Sequence, residues 1–248
     1  MRTPVSFLFS ARIATVLVVL LPLLRLRLLF VRDERRAFQL VRECARSVRR
    51  FGGCRIRVLG AERMPSGGAA MLVANHVSLA DAAILLASLP FDFRFVAGHA
   101  YAGYPILGAA IRRASANIVD RGSWRSRADS GQAMVDLLRG GQSLLVFPEG
   151  TTADDGVMLP FRSGAFRAAA RTGRPVVPIA ISGTRDLLPP NSLRLSNAAV
   201  DIQLLPPLTA LDATRDGVND LRDRAASAIQ AALDGAVHRH ATTGSYHQ

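Results

Sequence analysis

The stretch AAMLVANHVSLAD, residues 69–81, decides the fold class. It opens as an apolar run of strand length, stops at Asn75 and His76, and passes into a helical pattern at Asp81. Five runs of the same kind follow: FRFVAG (93–98), ANIVDR (116–121), SLLVFP (143–148), PVVPIAIS (175–182) and VDIQLL (200–205). Helical patterns separate them at 81–88, 126–138 and 165–171. A last amphipathic helix is expected over 214–233, with Val218, Leu221, Ala225 and Ile229 on one stripe. Strands alternating with helices predict an α/β domain, a largely parallel mixed sheet covered by helices.

Composition bounds what such a domain can do. The chain has 248 residues, 49% hydrophobic and 20% charged, at a mean hydropathy of +0.20, which excludes a disordered or collagenous chain. No uncharged apolar run reaches the roughly 18–20 residues of a spanning helix, which excludes a polytopic transporter. All 31 basic residues are arginine. Chemistry that needs lysine, such as P-loop phosphate binding or a Schiff base, is therefore unavailable. Cys44 and Cys54 fit neither a CxxC pair nor a zinc spacing and are expected to be free thiols in a reducing compartment.

The net charge of +12 is concentrated at one end. Up to Arg57 there are 13 arginines against Asp33, Glu34 and Glu43, while the rest of the chain is nearly neutral. A surface this basic calls for an anionic partner, either nucleic acid or an anionic membrane. Nucleic acid would call for aromatics interleaved with the charge, yet aromatics are 6% overall and this segment is strongly apolar, so no nucleic-acid partner is expected. The uncharged run IATVLVVLLPLL (13–24) spans only about 18 Å as a helix, Pro22 predicts a kink, and Arg25 and Arg27 follow. No small-residue cleavage site follows it, so a cleaved signal peptide is not expected. In the next segment Ala37, Val41, Cys44 and Val48 recur at helical spacing, with Arg35, Arg42, Arg46 and Arg49 on the remainder. That pattern predicts a basic amphipathic helix in a membrane interface; the alternative is a helix docked on the protein's own core. The expected organisation is a membrane-interfacial helical pair at 1–52, an α/β domain at 53–237 and a loose polar tail at 238–248. The location expected is the cytoplasmic face of the cell membrane, monotopic or peripheral.

In open α/β sheets functional residues gather beyond the carboxyl ends of the strands. Three runs end in such residues: MLVAN at His76 and on to Asp81, ANIV at Asp120 and Arg121, and LLVF at Pro148, Glu149, Gly150 and Thr151. If those strands are parallel neighbours, a base, a cation and a carboxylate converge. Asp81 lies about 140° from His76 on a regular helix, so the two meet only if the chain turns at VSLA. The aspartate would then bond one ring nitrogen and fix the tautomer. No G-x-S-x-G elbow is present, so the attacking hydroxyl must come from the substrate. The fixed charge of Arg121 suits phosphate or carboxylate, and Arg162 and Arg167 are further cations.

Four ordered blocks, NHVSLAD, ANIVDR, FPEGTT and VVPIAI, give the chain from about Val58 to Leu208 its resemblance to the glycerolipid acyltransferase family, typified by 1-acylglycerol-3-phosphate acyltransferases. The resemblance implies that family's fold and direct transfer of an acyl group from a thioester of acyl carrier protein or coenzyme A to a lysolipid hydroxyl. His76 would be the general base and Asp81 its orienting partner. Arg121 would hold the acceptor phosphate, joined by Arg162. Glu149, Gly150 and Thr151 would shape the acceptor site, and Pro178 would bound the acyl region. No metal or dissociable cofactor is implied. The third block often ends in arginine, and here the position is Thr152. That departure resembles the branch acylating lyso-ornithine lipids, whose acceptor carries no phosphate. A non-catalytic basic membrane-binding module is the remaining alternative.

Overall fold

The computed structural model describes residues 4–66, 68–98, 115–119, 124–152, 155–189 and 195–243. Two helices lead, α1 (Pro4–Phe30) and α2 (Glu34–Gly52), followed by β1 (Ile56–Leu59), β2 (Met71–Ala74), α3 (Ala80–Ser88), β3 (Arg94–Gly98) and β4 (Ser115–Val119). Then come α4 (Trp124–Arg139), β5 (Leu144–Val146), α5 (Gly164–Thr172), β6 (Val176–Ser182), a one-turn α6 (Thr184–Leu187), β7 (Val200–Leu204) and α7 (Arg215–Thr243). Among the described residues the seven strands form one sheet in the order β1-β7-β6-β2-β5-β3-β4. All neighbours are parallel except β6 and β7. The expected α/β class, a largely parallel mixed sheet covered by helices, is the fold observed.

The all-apolar sequence of β2 follows from its central position. Met71 and Val73 pack into one core layer with α4, α5 and α7, while Leu72 and Ala74 pack into the other with α1, α2 and α3. A strand covered on both faces has no use for polar alternation. By contrast, β1 lies at the sheet edge and alternates half-buried Ile56 and Val58 with exposed Arg57 and Leu59. It is the one strand the apolar runs do not announce.

Three expectations need correcting. The apolar stripe of α2 is covered by protein: Ala37, Phe38 and Val41 are buried in the layer that holds Leu72 and Val177, and Phe38 meets Phe93 edge-on at 6.1 Å. Arg42, assigned by pattern to the basic outer face, is buried. It pairs with Asp92 at 2.5 Å and donates to the carbonyls of Leu89 and Phe91 just past the end of α3. Second, α1 is a continuous helix that runs through Pro22, Arg25 and Arg27, so its 24 residues Phe7–Phe30 are long and apolar enough to cross a membrane by length and composition. Third, α7 continues to Thr243, ten residues past Leu233 and into the stretch expected to be loose.

The turn between helix and sheet depends on two glycines. Gly53 ends α2 in the left-handed region at φ 76°, its N–H returning to the Arg49 carbonyl. A Cβ on Gly52 would run into Ile13, so the bare backbone there lets α1 lie close against α2. Asp33 starts α2 by accepting the Arg36 N–H at 2.7 Å. Phe9, Ile13, Leu24 and Leu28 of α1 face inward and are buried, whereas Phe7, Leu8, Val18, Val19, Leu26, Leu29 and Phe30 are exposed. The N-terminal pair thus shares its core with the sheet, and most of the apolar surface it offers outward belongs to α1, with Phe51 of α2.

Candidate active site

Strand register brings the chemistry together. Val73 of β2 lies opposite Val146 of the parallel neighbour β5. Three residues further along each chain, beyond the last paired positions, are His76 and Glu149. The His76 N–H donates to Glu149 Oε1 at 2.7 Å. On its other side, where β2 leaves β6, the Asn75 side chain replaces a backbone partner. Its Oδ1 accepts the Ile181 N–H at 2.8 Å and its Nδ2 donates to the Ile181 carbonyl at 3.0 Å.

The turn needed to join His76 to Asp81 is present. Asp81 sits in the first turn of α3, fully buried, where the helix amino end favours negative charge. Its Oδ2 lies 2.9 Å from His76 Nδ1 and accepts the N–H groups of Val77 at 2.8 Å and Ser78 at 2.9 Å. A carboxylate only accepts, so Nδ1 carries the proton and Nε2 presents a lone pair. The imidazole stacks on Phe147, with centroids 4.1 Å apart and planes 16° from parallel. Ser78 ties the turn to the segment after α6, its hydroxyl donating to the Leu188 carbonyl at 2.8 Å.

Glu149 is buried and turned inward, its second oxygen accepting the Leu159 N–H at 2.8 Å. Burial pushes its carboxyl above the usual range, and the two backbone N–H bonds pull against that rise. Gly150 occupies the left-handed region at φ 82°, and a Cβ there would come within 2.9 Å of Arg162 Nε. The close approach that Gly150 permits is therefore to an arginine of the same loop. Arg162 is exposed, its N–H bonded to the Pro148 carbonyl at 2.9 Å, and Thr151 is exposed beside it.

The structure thus brings together His76, Asp81 and Glu149, with Gly150, Thr151 and Arg162 on the adjoining loop. Pro178 is elsewhere. It is buried in mid-strand opposite Val73, its carbonyl accepting the Leu205 N–H at 2.8 Å, well below the edge where His76 emerges. Arg121 lies outside the described residues. The strand before it, β4, is not a neighbour of β2 or β5, because β3 intervenes. Three strand spacings, about 14 Å, separate β4 from β2. Asn75, Ser78 and Phe147 were not singled out by sequence reasoning. Each lies within two residues of His76 or Glu149 and inside the blocks NHVSLAD and FPEGTT that contain them.

A strand-end imidazole backed by a buried carboxylate on an α/β sheet can take a proton from a substrate hydroxyl, the work of a group-transfer enzyme that lacks its own nucleophile. The chain belongs to the acyltransferase family: that family's model, described as Acyltransferase, matches residues 55–182. It is 33% identical over 171 residues to a chloroplastic 1-acyl-sn-glycerol-3-phosphate acyltransferase of Brassica napus, covering 68% of this chain and 49% of that one. It is 31% identical over 238 residues to a Chlamydomonas reinhardtii protein of the same name, covering 93% and 69%. The crystal structure of the 1-acyl-sn-glycerophosphate acyltransferase of Thermotoga maritima superposes with a TM-score of 0.73 over 93% of this chain and 95% of that one, at 21% identity. The chain spans about half or less of the length of the first relatives it matches, 49% of the Brassica napus protein and 40% of one from Arabidopsis thaliana.

Proposed function

We propose that the protein acylates the free hydroxyl of 1-acylglycerol 3-phosphate from an acyl thioester, giving phosphatidic acid at a membrane surface. The observation that carries this reading is the His76–Asp81 pair, with Nδ1 engaged by the carboxylate at 2.9 Å. In the reaction Nε2 takes the hydroxyl proton as the oxygen attacks the thioester carbonyl. The tetrahedral adduct then collapses, breaking the carbon–sulfur bond, and His76 returns its proton to the departing thiolate of coenzyme A or acyl carrier protein. Asp81 stabilises the charge that develops on the ring. Thr151 and Arg162, on the loop that follows Glu149, are assigned to the acceptor side, and Arg121 is assigned to the phosphate from the sequence resemblance and its permanent charge. Pro178 serves strand pairing in this reading, since it lies away from the edge.

Membrane attachment is through α1. Its inward residues are buried from Phe9 to Leu28, and its Ser10 hydroxyl donates to the Leu195 carbonyl at 2.8 Å. A helix held lengthwise against the body supports a place in the interface, on the cytoplasmic face where thioester donors are found. Arg35, Arg36, Arg46 and Arg50 of α2 are exposed and suit anionic lipid. One residue favours a second reading: Thr152 stands where phosphatidate-forming members often carry arginine, which suits a phosphate-free acceptor such as lyso-ornithine lipid.

The deciding experiment offers the purified protein 1-acylglycerol 3-phosphate and lyso-ornithine lipid side by side with labelled acyl-coenzyme A and acyl carrier protein thioesters. A kcat/KM at least about tenfold higher for the phosphate acceptor is expected, equivalent to about 1.4 kcal/mol of transition-state binding. The reverse preference would install the second reading, and no acylation of either would overturn both.

A further inference from the structure

Glu149 is turned into the protein, with both carboxylate oxygens engaged by backbone N–H groups. The residue is 3% exposed; Oε1 takes the His76 N–H at 2.7 Å and Oε2 the Leu159 N–H at 2.8 Å. Among the described residues no arginine or other cation forms an ion pair with it. Its position follows from the ladder. The register ends at Val73 opposite Val146, and counting three residues on along each chain reaches His76 and Glu149. By then β5 has turned away at Pro148, closing the bond from Gly150 N–H to the Phe147 carbonyl at 3.1 Å. No backbone carbonyl of β5 remains beside the His76 N–H. The carboxylate supplies the missing rung, and with its other oxygen holds Leu159, where the loop carrying Gly150 and Thr151 returns.

We propose that Glu149 is a positioning residue: it ties the backbone at His76 to the backbone at Leu159, and so sets the imidazole between Asp81 and Phe147, without contacting the acceptor. The inference rests on His76 being the base. Holding the backbone N–H leaves the ring two further constraints, the Asp81 bond and the Phe147 stack, and these can act only if the Cα stays in place. Small displacements of a reacting group are costly, with about 1 Å enough for a hundredfold loss.

The test is steady-state kinetics of Glu149→Gln and Glu149→Ala on vesicles containing 1-acylglycerol 3-phosphate. Glutamine keeps one accepting oxygen and sets an amide donor against the other N–H, so kcat should fall about tenfold. Alanine keeps neither, and about a hundredfold loss is expected. The acceptor KM should stay within twofold in both, because ground-state binding is untouched. A tenfold rise in acceptor KM with kcat retained would overturn the proposal, as would unchanged kcat in both variants. If the alanine variant fails to fold, the glutamine variant alone reads the split. His76→Ala is measured alongside: near-normal turnover there would remove the base and this proposal with it, whereas an inactive His76→Ala with a KM effect at Glu149 overturns only the proposal.

Discussion

Replacing Asp81 by asparagine isolates what the carboxylate charge contributes. An asparagine oxygen placed at Oδ2 can still accept from His76 Nδ1, Val77 and Ser78, so the tautomer and the turn are retained. The amide nitrogen then takes the place of Oδ1, which is buried without a partner among the described residues, and so accepts no help there. An unsatisfied buried donor costs about 1–3 kcal/mol of stability, tolerable for a domain of this size. The larger effect is catalytic. At an effective dielectric of about 20, unit charges about 4 Å apart interact by about 4 kcal/mol. With roughly half a charge on the imidazole in the transition state, asparagine forfeits about 2 kcal/mol, or about thirtyfold in kcat. Removal of the base itself, His76→Ala, sets the scale at about two to four decades. Initial rates at saturating acceptor and donor measure the loss, and circular dichroism verifies the fold. A kcat within twofold of the parent, or a loss expressed only in KM, would show that the aspartate is not coupled to proton transfer.

Two further outcomes follow from the packing. Burial pushes the thiols of Cys44 and Cys54 above the ordinary value, so the thiolate fraction at pH 7–8 is lower than in a free cysteine. Iodoacetamide should alkylate both more slowly than it does glutathione, with the rate still climbing where glutathione has levelled off; equal rates at pH 7.5 would contradict the burial. Separately, Val18→Glu with Leu26→Glu changes two exposed side chains of α1 and should weaken flotation with anionic vesicles at least about a hundredfold, since each buried aliphatic contributes about 1.5–3 kcal/mol. Undiminished flotation would move the membrane contact elsewhere.

How far the fold could be read from sequence depended on which force placed each element. β2 and β6 were visible because a strand covered on both faces is apolar throughout. β1 was hidden because an edge strand of the pattern Ile56-Arg57-Val58-Leu59 buries only part of itself. For α2, periodicity showed that Ala37 and Val41 share a face but not what covers it, because lipid and protein hide an apolar stripe equally well. The arginine count then favoured lipid, and Arg42 shows why a count misleads: that charge is satisfied inside, by Asp92 and two carbonyls. At the site, His76 and Asp81 were legible from spacing and a plausible turn. The direction of Glu149 was not, since it depends on the register of β2 against β5, which links residues 73 apart in sequence.

The buried charges of the site also explain one another. Two carboxylates near one imidazole would be an expensive arrangement in an apolar interior if each relied on the histidine. Instead each is held by two backbone N–H groups: Asp81 by Val77 and Ser78, Glu149 by His76 and Leu159. Those four donors belong to a turn and to loop ends where regular pairing has stopped, so the carboxylates satisfy groups that the sheet and helix leave over. The negative charge is thereby fixed by the fold before substrate arrives, and the ring gains positive charge in surroundings already arranged to receive it. On this account the strand-end location serves the chemistry: where β2 and β5 stop pairing, the backbone donors they leave over hold both carboxylates beside one histidine.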